Sequence, residues 1–297
     1  MKIAAIIITY NRKELLVNSI QSVLKGSIVP DIIVVDNAST DGTNLVLRDL
    51  PVQYLLQAKN LGPAGGAEAG QRYAHEKGYD FVWMLDDDAE VHPEALANLI
   101  RVYDELHKSN IILTSVTYGD RDFLRPIFNI LLYNNRTGLT KRMPEENYSK
   151  DYFKCNISPM LGMFIPTEVF NIAGFFKGEY FGWYDDTEFI LRAQKNGHEC
   201  FAVSQSKIYH PTEYRKRVKI LGRNFTFLSG RPERMYFGTR NNIMAQREFL
   251  SQLNFWIIFL PLFTIKRFIS IVGFYENKQV FLKQFFKGVI DGVKGQS

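Results

Sequence analysis

Along the first ninety residues the hydrophobic pattern switches repeatedly between two periods. Ile3-Ala4-Ala5-Ile6-Ile7-Ile8 is an unbroken apolar run, as in a parallel strand covered on both faces. Glu14 to Leu24 then carries apolar residues at Leu15, Leu16, Ile20, Val23 and Leu24, the spacing of one helical face. Asp31 to Val35 reads as a second buried strand and Asn37 to Gly42 as a polar turn, with a helix predicted from about Thr43 to Leu50. Val52 to Leu55 is a third strand. Gly62 to Lys77 opens glycine-rich and becomes helical, and Phe81 to Leu85 is a fourth strand. This alternation predicts an α/β fold with a mostly parallel central sheet. Functional groups in such sheets gather just past the carboxyl ends of strands. Those positions here are Thr9-Tyr10-Asn11-Arg12, Asp36-Asn37, Asn60-Leu61-Gly62 and Asp86-Asp87-Asp88.

The pattern then weakens. Asn110 to Asp151 reads as an irregular region elaborated over an active site. Order returns from Ser158 to Phe201, with a helix near Thr187 to Asn196, and Gly230 to Phe249 is helical after its opening turn. Leu253 to Ile265 is strongly apolar but falls short of the ~20 residues of a spanning helix. Lys266-Arg267 interrupts it before Phe268 to Val272. Lys278, Lys283, Lys287 and Lys294 then recur among Phe281, Leu282, Phe285 and Phe286. That mixture suits an interfacial helix on an anionic membrane surface. Helices packed on the catalytic domain, or in a homo-oligomer interface, are the other reading. We divide the chain into a catalytic domain, residues 1–228, and a helical C-terminal region, residues 229–297.

Composition adds bounds rather than a function. With 297 residues, 46% hydrophobic and 23% charged, the chain has an ordinary globular core. A net charge of +5 fits an anionic partner, whether a nucleotide diphosphate, a phospholipid surface or nucleic acid. Cys155 and Cys200 suggest neither a disulfide framework nor a metal-site spacing. Thr9-Tyr10-Asn11-Arg12 cuts the first apolar run too early for a secretory signal, so an intracellular protein is expected.

Two acidic clusters carry the chemistry. Asp86-Asp87-Asp88 follows a buried strand, where three repelling carboxylates are relieved by a divalent cation. In extended geometry Asp86 and Asp88 point the same way and would grip one ion, magnesium or manganese by their hard oxygens. A solvated acidic turn ahead of the next helix is the plainer alternative. In the second cluster, Trp183-Tyr184-Asp185-Asp186-Thr187-Glu188, an aspartate suits a helix N-cap. The aromatics beside it suit a sugar platform, with a carboxylate to deprotonate an incoming hydroxyl. We assign the base to Asp186 over Asp185, and His210, at another strand end, as a third metal ligand.

In this order the segments resemble the family 2 glycosyltransferases of the GT-A fold, a Rossmann-like nucleotide-sugar-binding domain. The matching pieces are Ile6 to Arg12, Val34 to Thr43, Asn60 to Gly66, Leu85 to Asp88 and Trp183 to Arg192, covering about residues 1 to 212. The resemblance implies that Thr9, Asn11, Arg12, Asp36, Asn60, Gly65 and Asp87 bind the nucleotide sugar. It implies Mn2+ or Mg2+ on Asp86, Asp88 and His210, the acceptor on Trp183 and Tyr184, and Asp186 or Asp185 as the base. Tyr236 with Arg240-Asn241 resembles a further family element, and Arg240, which follows Arg231 and Arg234, either reaches a donor or acceptor phosphate or is a helix-surface charge. The galactofuranosyl and rhamnosyl transferase branches are the most similar. They imply UDP-galactofuranose, or else dTDP-rhamnose, as donor to a lipid-linked acceptor glycan, at the cytoplasmic face of a bacterial membrane. A pyrophosphorylase is disfavoured because residues 8 to 14 contain no glycine. Nucleic-acid binding is disfavoured by the acids at the ligand edge, and a non-catalytic scaffold by the intact Asp86, Asp88 and Asp186.

Overall fold

The computed structural model describes residues 1–107, 110–127, 129–211, 215–220, 223–228 and 232–296. They form two compact units. The first comprises Met1–Leu132, Lys141–Phe181 and Asp185–Pro211, and the second Tyr133–Thr140, Gly182–Tyr184 and Thr212–Ser297.

The first unit begins with β1 (Ile3–Thr9), α1 (Lys13–Leu24), β2 (Asp31–Asp36), α2 (Thr43–Val46), β3 (Val52–Leu56), α3 (Gly62–Glu76) and β4 (Phe81–Asp86). It continues with β5 (Glu90–Val91), α4 (Ala95–Leu106), β6 (Ile111–Tyr118), and a ribbon of β7 (Leu131–Tyr133) with β8 (Thr140–Arg142) whose turn lies in the second unit. Then come β9 (Tyr152–Cys155), β10 (Met163–Pro166), α5 (Val169–Ala173), α6 (Asp185–Lys195) and β11 (Glu199–Tyr209). The sheet runs β3-β2-β1-β4-β10-β6-β11-β5, with β9 also paired to β11. Strands β3, β2, β1 and β4 are mutually parallel, β10 is antiparallel to both β4 and β6, and β11 is parallel to β6. It is a mostly parallel GT-A sheet, and the carboxyl ends of β1, β2, β4, β6 and β11 share one edge.

Both faces are covered, which explains the unbroken apolar runs. Ile6, Ile33, Val35 and Met84 pack into one core, while Ala5, Ile7, Val34 and Leu85 pack into the other with Leu16 and Leu99. Helix α3 lies close to the sheet because it is glycine-rich. A Cβ at Gly70 would come 2.6 Å from Ile6 Cγ2, and one at Gly66 2.6 Å from Ile8 Cγ2.

Two expectations need correction. The helix after Gly42 ends at Val46, since a turn precedes Pro51, which cannot continue a helix. Residues 110 to 151 are not wholly irregular: β6 is a buried eight-residue strand in the middle of the sheet. Its polar half disguises it, because buried Thr114, Ser115 and Thr117 break the apolar run, and Ser115 is paired internally, Oγ to Ser206 Oγ at 2.7 Å. The two distant cysteines face each other across β9 and β11, Sγ to Sγ 3.3 Å, as free thiols. Their mutual hydrogen bond and burial push the Cys155 thiol up.

The second unit contains the hairpin β12 (Arg215–Ile220) and β13 (Arg223–Leu228), then α7 (Pro232–Phe249), a π-helical segment (Asn254–Phe259) running into α8 (Leu260–Phe274), and α9 (Lys278–Lys294). Helix α9 packs on α7 through Gly288 and Gly292, where a Cβ would come 2.8 Å from the carbonyl oxygens of Tyr236 and Arg240. The apolar run is not cut at Lys266. Asn254–Phe274 is 21 residues long and, by length and composition alone, apolar enough to cross a membrane.

These glycines give a paired prediction. Gly70→Ala forces α3 off the sheet at a cost of about 1–3 kcal/mol and lowers Tm by several degrees. Gly238→Ala, with open space around its Cβ within α7, gains about 0.5–1 kcal/mol of stability. Thermal denaturation of both variants checks the opposite signs.

Candidate active site

The carboxylate triplet sits where β4 ends. Asp86 is the last strand residue, and a turn closed by Ala89 N–H on Asp86 O (3.2 Å) redirects the next two. Asp86 and Asp88 still converge, though through this turn rather than along an extended strand. His210, just past β11, completes the group: its Nε2 is 3.7 Å from Asp86 Oδ2 and 3.2 Å from Asp88 Oδ1. One ligand atom from each of the three lies within 4.8 Å of the others, the compactness one cation needs.

Asp87 points toward β1, accepting the Thr9 hydroxyl at 2.8 Å and Arg12 at 3.3 Å. Arg12 also donates to Asp88 at 2.9 Å. Thr9, Arg12, Asp86, Asp87, Asp88 and His210 are thus one network, drawn together because β1, β4 and β11 end at the same edge.

Its electrostatics show incomplete compensation. Burial, with the like charges of Asp88 and Asp87, raises the Asp86 carboxyl to about 6 despite His210 and Arg12. A third of its side chain remains open (33%). Burial also raises Asp87. At Asp88 burial acts in the same sense, but the His210 hydrogen bond and the His210 and Arg12 charges win and lower it. Burial would lower His210, yet the two carboxylates raise it. Hard carboxylate oxygens beside an imidazole, with charge left over on the acidic side, fit Mn2+ or Mg2+.

A second cluster links the loops after β1 and β2. Asn11, at φ 54°, donates from its backbone N–H to Ser39 Oγ (2.9 Å) and accepts Thr40 N–H on Oδ1 (2.7 Å). Buried Asp36 accepts Ser39 N–H and the Tyr54 hydroxyl, each at 2.8 Å. Burial and this bond push Tyr54 up to about 12. At the start of α3, Asn60 Oδ1 accepts Gly62 N–H (2.8 Å) and Asn37 Nδ2 donates to Gly62 O (3.0 Å). A Cβ at Gly62, Gly65 and Gly66 would meet protein, at Phe181 O (2.0 Å), Leu61 Cβ (2.5 Å) and Ile8 Cγ2 (2.6 Å) respectively.

The other two acids open α6, inside its first turn, where the positive helix end favours them. Asp185 is buried and Asp186 half-buried. Burial, then the Asp186 charge, raises Asp185 to about 8, and the Asp86 charge adds to the shift, so α6 starts within electrostatic reach of the triplet. Asp186 Oδ1 accepts Thr187 N–H at 2.6 Å, and burial raises this carboxyl too. Glu188, overlooked in the sequence, is buried and held by Lys177 (2.9 Å) and the Arg192 fork (2.8 and 2.9 Å). Its i,i+4 spacing to Arg192 was the available signal.

Trp183 and Tyr184 belong to the second unit. Trp183 stacks on Phe237 and lies beneath Arg234. Arg240 is no surface charge: it is buried, with Nε on Asn241 Oδ1 (2.8 Å). Arg231 lies outside the described residues.

Known proteins agree with this architecture. Over 99% of its length the chain is 28% identical to the dTDP-rhamnosyl transferase RfbF of Shigella flexneri, covering 96% of that protein. It is 37% identical to the galactofuranosyltransferase GlfT1 of Mycolicibacterium smegmatis over 29% of the chain and 30% of that protein. The crystal structure of GalNAc-T7 with UDP, GalNAc and Mn2+ superposes with a TM-score of 0.65 at 13% identity, covering 99% of this chain and 56% of that one. Residues 4–160, more than half of the chain, match glycosyl transferase family 2, and the chain is a glycosyltransferase belonging to that family.

Proposed function

We propose that the chain transfers a hexosyl residue, with inversion, from a nucleotide diphosphate sugar to an acceptor glycan in bacterial surface polysaccharide synthesis. The observation that carries this reading is the convergence of Asp86, Asp88 and His210 at the sheet edge where α6 presents Asp185 and Asp186. In this reading Asp36 contacts the base or ribose, and Thr9, Asn11, Arg12, Asn60, Gly65 and Asp87 bind the nucleotide sugar. Asp86, Asp88 and His210 would hold a divalent cation, which would supply charge neutralisation for the diphosphate leaving group.

Asp186 takes the proton from the acceptor hydroxyl. The oxygen attacks the anomeric carbon from the face opposite the diphosphate, and the carbon–oxygen bond to the diphosphate breaks. Asp186 is preferred over Asp185 because it is the more open of the two, and a raised pKa strengthens it as a base near neutral pH. Trp183 and Tyr184 immediately precede these acids and offer ring faces to the acceptor.

For the donor, dTDP-rhamnose stands first, because similarity to a dTDP-rhamnosyl transferase spans nearly the whole chain. UDP-galactofuranose is the second reading, favoured by the higher local identity to a galactofuranosyltransferase. A lipid-linked acceptor fits the C-terminal helices. Trp256, Ile257, Leu262, Ile265, Phe268, Ile269 and Val272 are exposed along Asn254–Phe274, while Phe255, Phe259 and Ile271 are buried. Lys266 and Arg267 would lie near the bilayer centre of a spanning helix, costing about 2.5–3.5 kcal/mol each. Lying in the plane of an anionic leaflet avoids that cost, so we place the enzyme peripherally on the inner face of the membrane.

Three outcomes are expected. In a panel of UDP- and dTDP-sugars, Mn2+ or Mg2+ supports turnover of one of the two donors, and Asp88→Ala abolishes it with the circular dichroism spectrum preserved. Metal-independent turnover, or an active Asp88→Ala, refutes the metal assignment. Asp186→Asn leaves donor affinity unchanged and lowers kcat by about 100-fold or more, a loss general-base removal accounts for. Full activity would move the base elsewhere. In flotation assays the full chain binds anionic vesicles and not neutral ones, and Ile265→Asp with Ile269→Asp releases it. Equal binding of wild type and variant would assign this helix to protein packing.

A further inference from the structure

The segment ahead of Asp185 has an unusual backbone. Phe181, Trp183 and Tyr184 all have positive φ, at 61°, 64° and 72°. Bulky aromatic residues avoid this region, and such strain persists only where surroundings hold it. Within the first unit Phe181 is held by α3: its carbonyl accepts Ala64 N–H at 3.1 Å, and Gly62 leaves room for it. The next three residues, Gly182–Tyr184, pack with the second unit, and the chain rejoins the first at Asp185.

In the second unit one side chain takes up two carbonyls of this excursion. Asn241, on α7 and fully buried, donates from Nδ2 to Gly182 O at 2.9 Å and to Trp183 O at 2.7 Å. Its orientation is fixed from behind. Arg240 Nε donates to Asn241 Oδ1 at 2.8 Å, and since a guanidinium only donates, the amide nitrogen must face the carbonyls. Arg240 is itself buried, with its guanidinium 5.1 Å from the Phe237 ring on which Trp183 stacks.

We propose that Asn241 is a positioning residue for the transfer reaction: its buried carboxamide pins the Gly182 and Trp183 carbonyls and so fixes the left-handed backbone from which Asp185 and Asp186 emerge. This rests on the function proposed above, in which Asp186 is the base. The pin acts on the chain immediately ahead of the acids. Its loss therefore shows in the chemical step and spares donor binding.

The test uses the full-length protein with Asn241→Asp, which keeps the shape but sets an oxygen against two carbonyls, and Asn241→Ser, which keeps one donor and folds where the first does not. Gln246→Ala is the control. It lies on the same helix but holds Tyr133 (2.5 Å) instead. Amide hydrogen exchange across 181–187 should rise about tenfold or more in Asn241→Asp, less in Asn241→Ser, and stay unchanged in Gln246→Ala. Transfer kcat should fall on the order of 100-fold, as for a displacement of about 1 Å, while the donor KM stays within about threefold. Unchanged exchange in the Asn241 variants, raised exchange with unchanged kcat, or an equal effect of Gln246→Ala overturns the proposal. A wild-type chain that transfers no sugar would refute the proposed function instead, a result the exchange measurement separates from failure of the pin.

Discussion

Negative charge crowded onto the end of one buried strand is the constraint around which the first unit is organised. Asp86, Asp87 and Asp88 follow β4 without a break, and burial opposes the ionisation of each. The chain answers with groups from neighbouring strand ends: the Thr9 hydroxyl and Arg12 from β1, and His210 from β11. That answer requires parallel strands. Were β1 or β11 reversed, its contribution would sit at the opposite edge, a sheet length away. Compensation still falls short at Asp86, and the remaining negative charge is what a divalent cation would relieve.

The parallel half of the sheet was readable in the sequence because both its faces are buried. A strand buried on both sides is commonly apolar along its length, and β1, β2 and β4 are apart from their terminal polar residues. Acids and amides after such runs then fall at one edge of the sheet. That is why Asp86, Asp88 and His210 were singled out together from two distant segments. The antiparallel half obeys a different rule. Strands β6 and β10 lie inside the sheet, yet β6 carries buried hydroxyls satisfied by partners on other strands, information that no local window holds.

The glycines of α3 meet a packing demand. Gly62, Gly65 and Gly66 are visible in the sequence as a cluster at a helix start, and a Cβ at these positions or at Gly70 would meet Phe181, Leu61, Ile8 and Ile6. The close helix–sheet contact in turn sets the height of Asn60 and Asn37 at the sheet edge. Packing and binding make the same demand on the sequence, so composition alone could not separate them.

The two parts of the candidate site are held in different ways. Thr9, Asp36 and Asp86 are the last residues of regular strands, whose ladders fix their backbone. Asp185 and Asp186 follow a backbone in a disfavoured conformation, fixed by hydrogen bonds to particular carbonyls at Phe181, Gly182 and Trp183. Strain of this kind, of order 1–3 kcal/mol per residue, relaxes wherever one restraint is lost. The backbone ahead of Asp185 and Asp186 is thus sensitive to substitutions beyond the sheet. Changes at Asn241 in α7, whose carboxamide holds the Gly182 and Trp183 carbonyls, are for that reason expected to act on transfer before they act on donor binding.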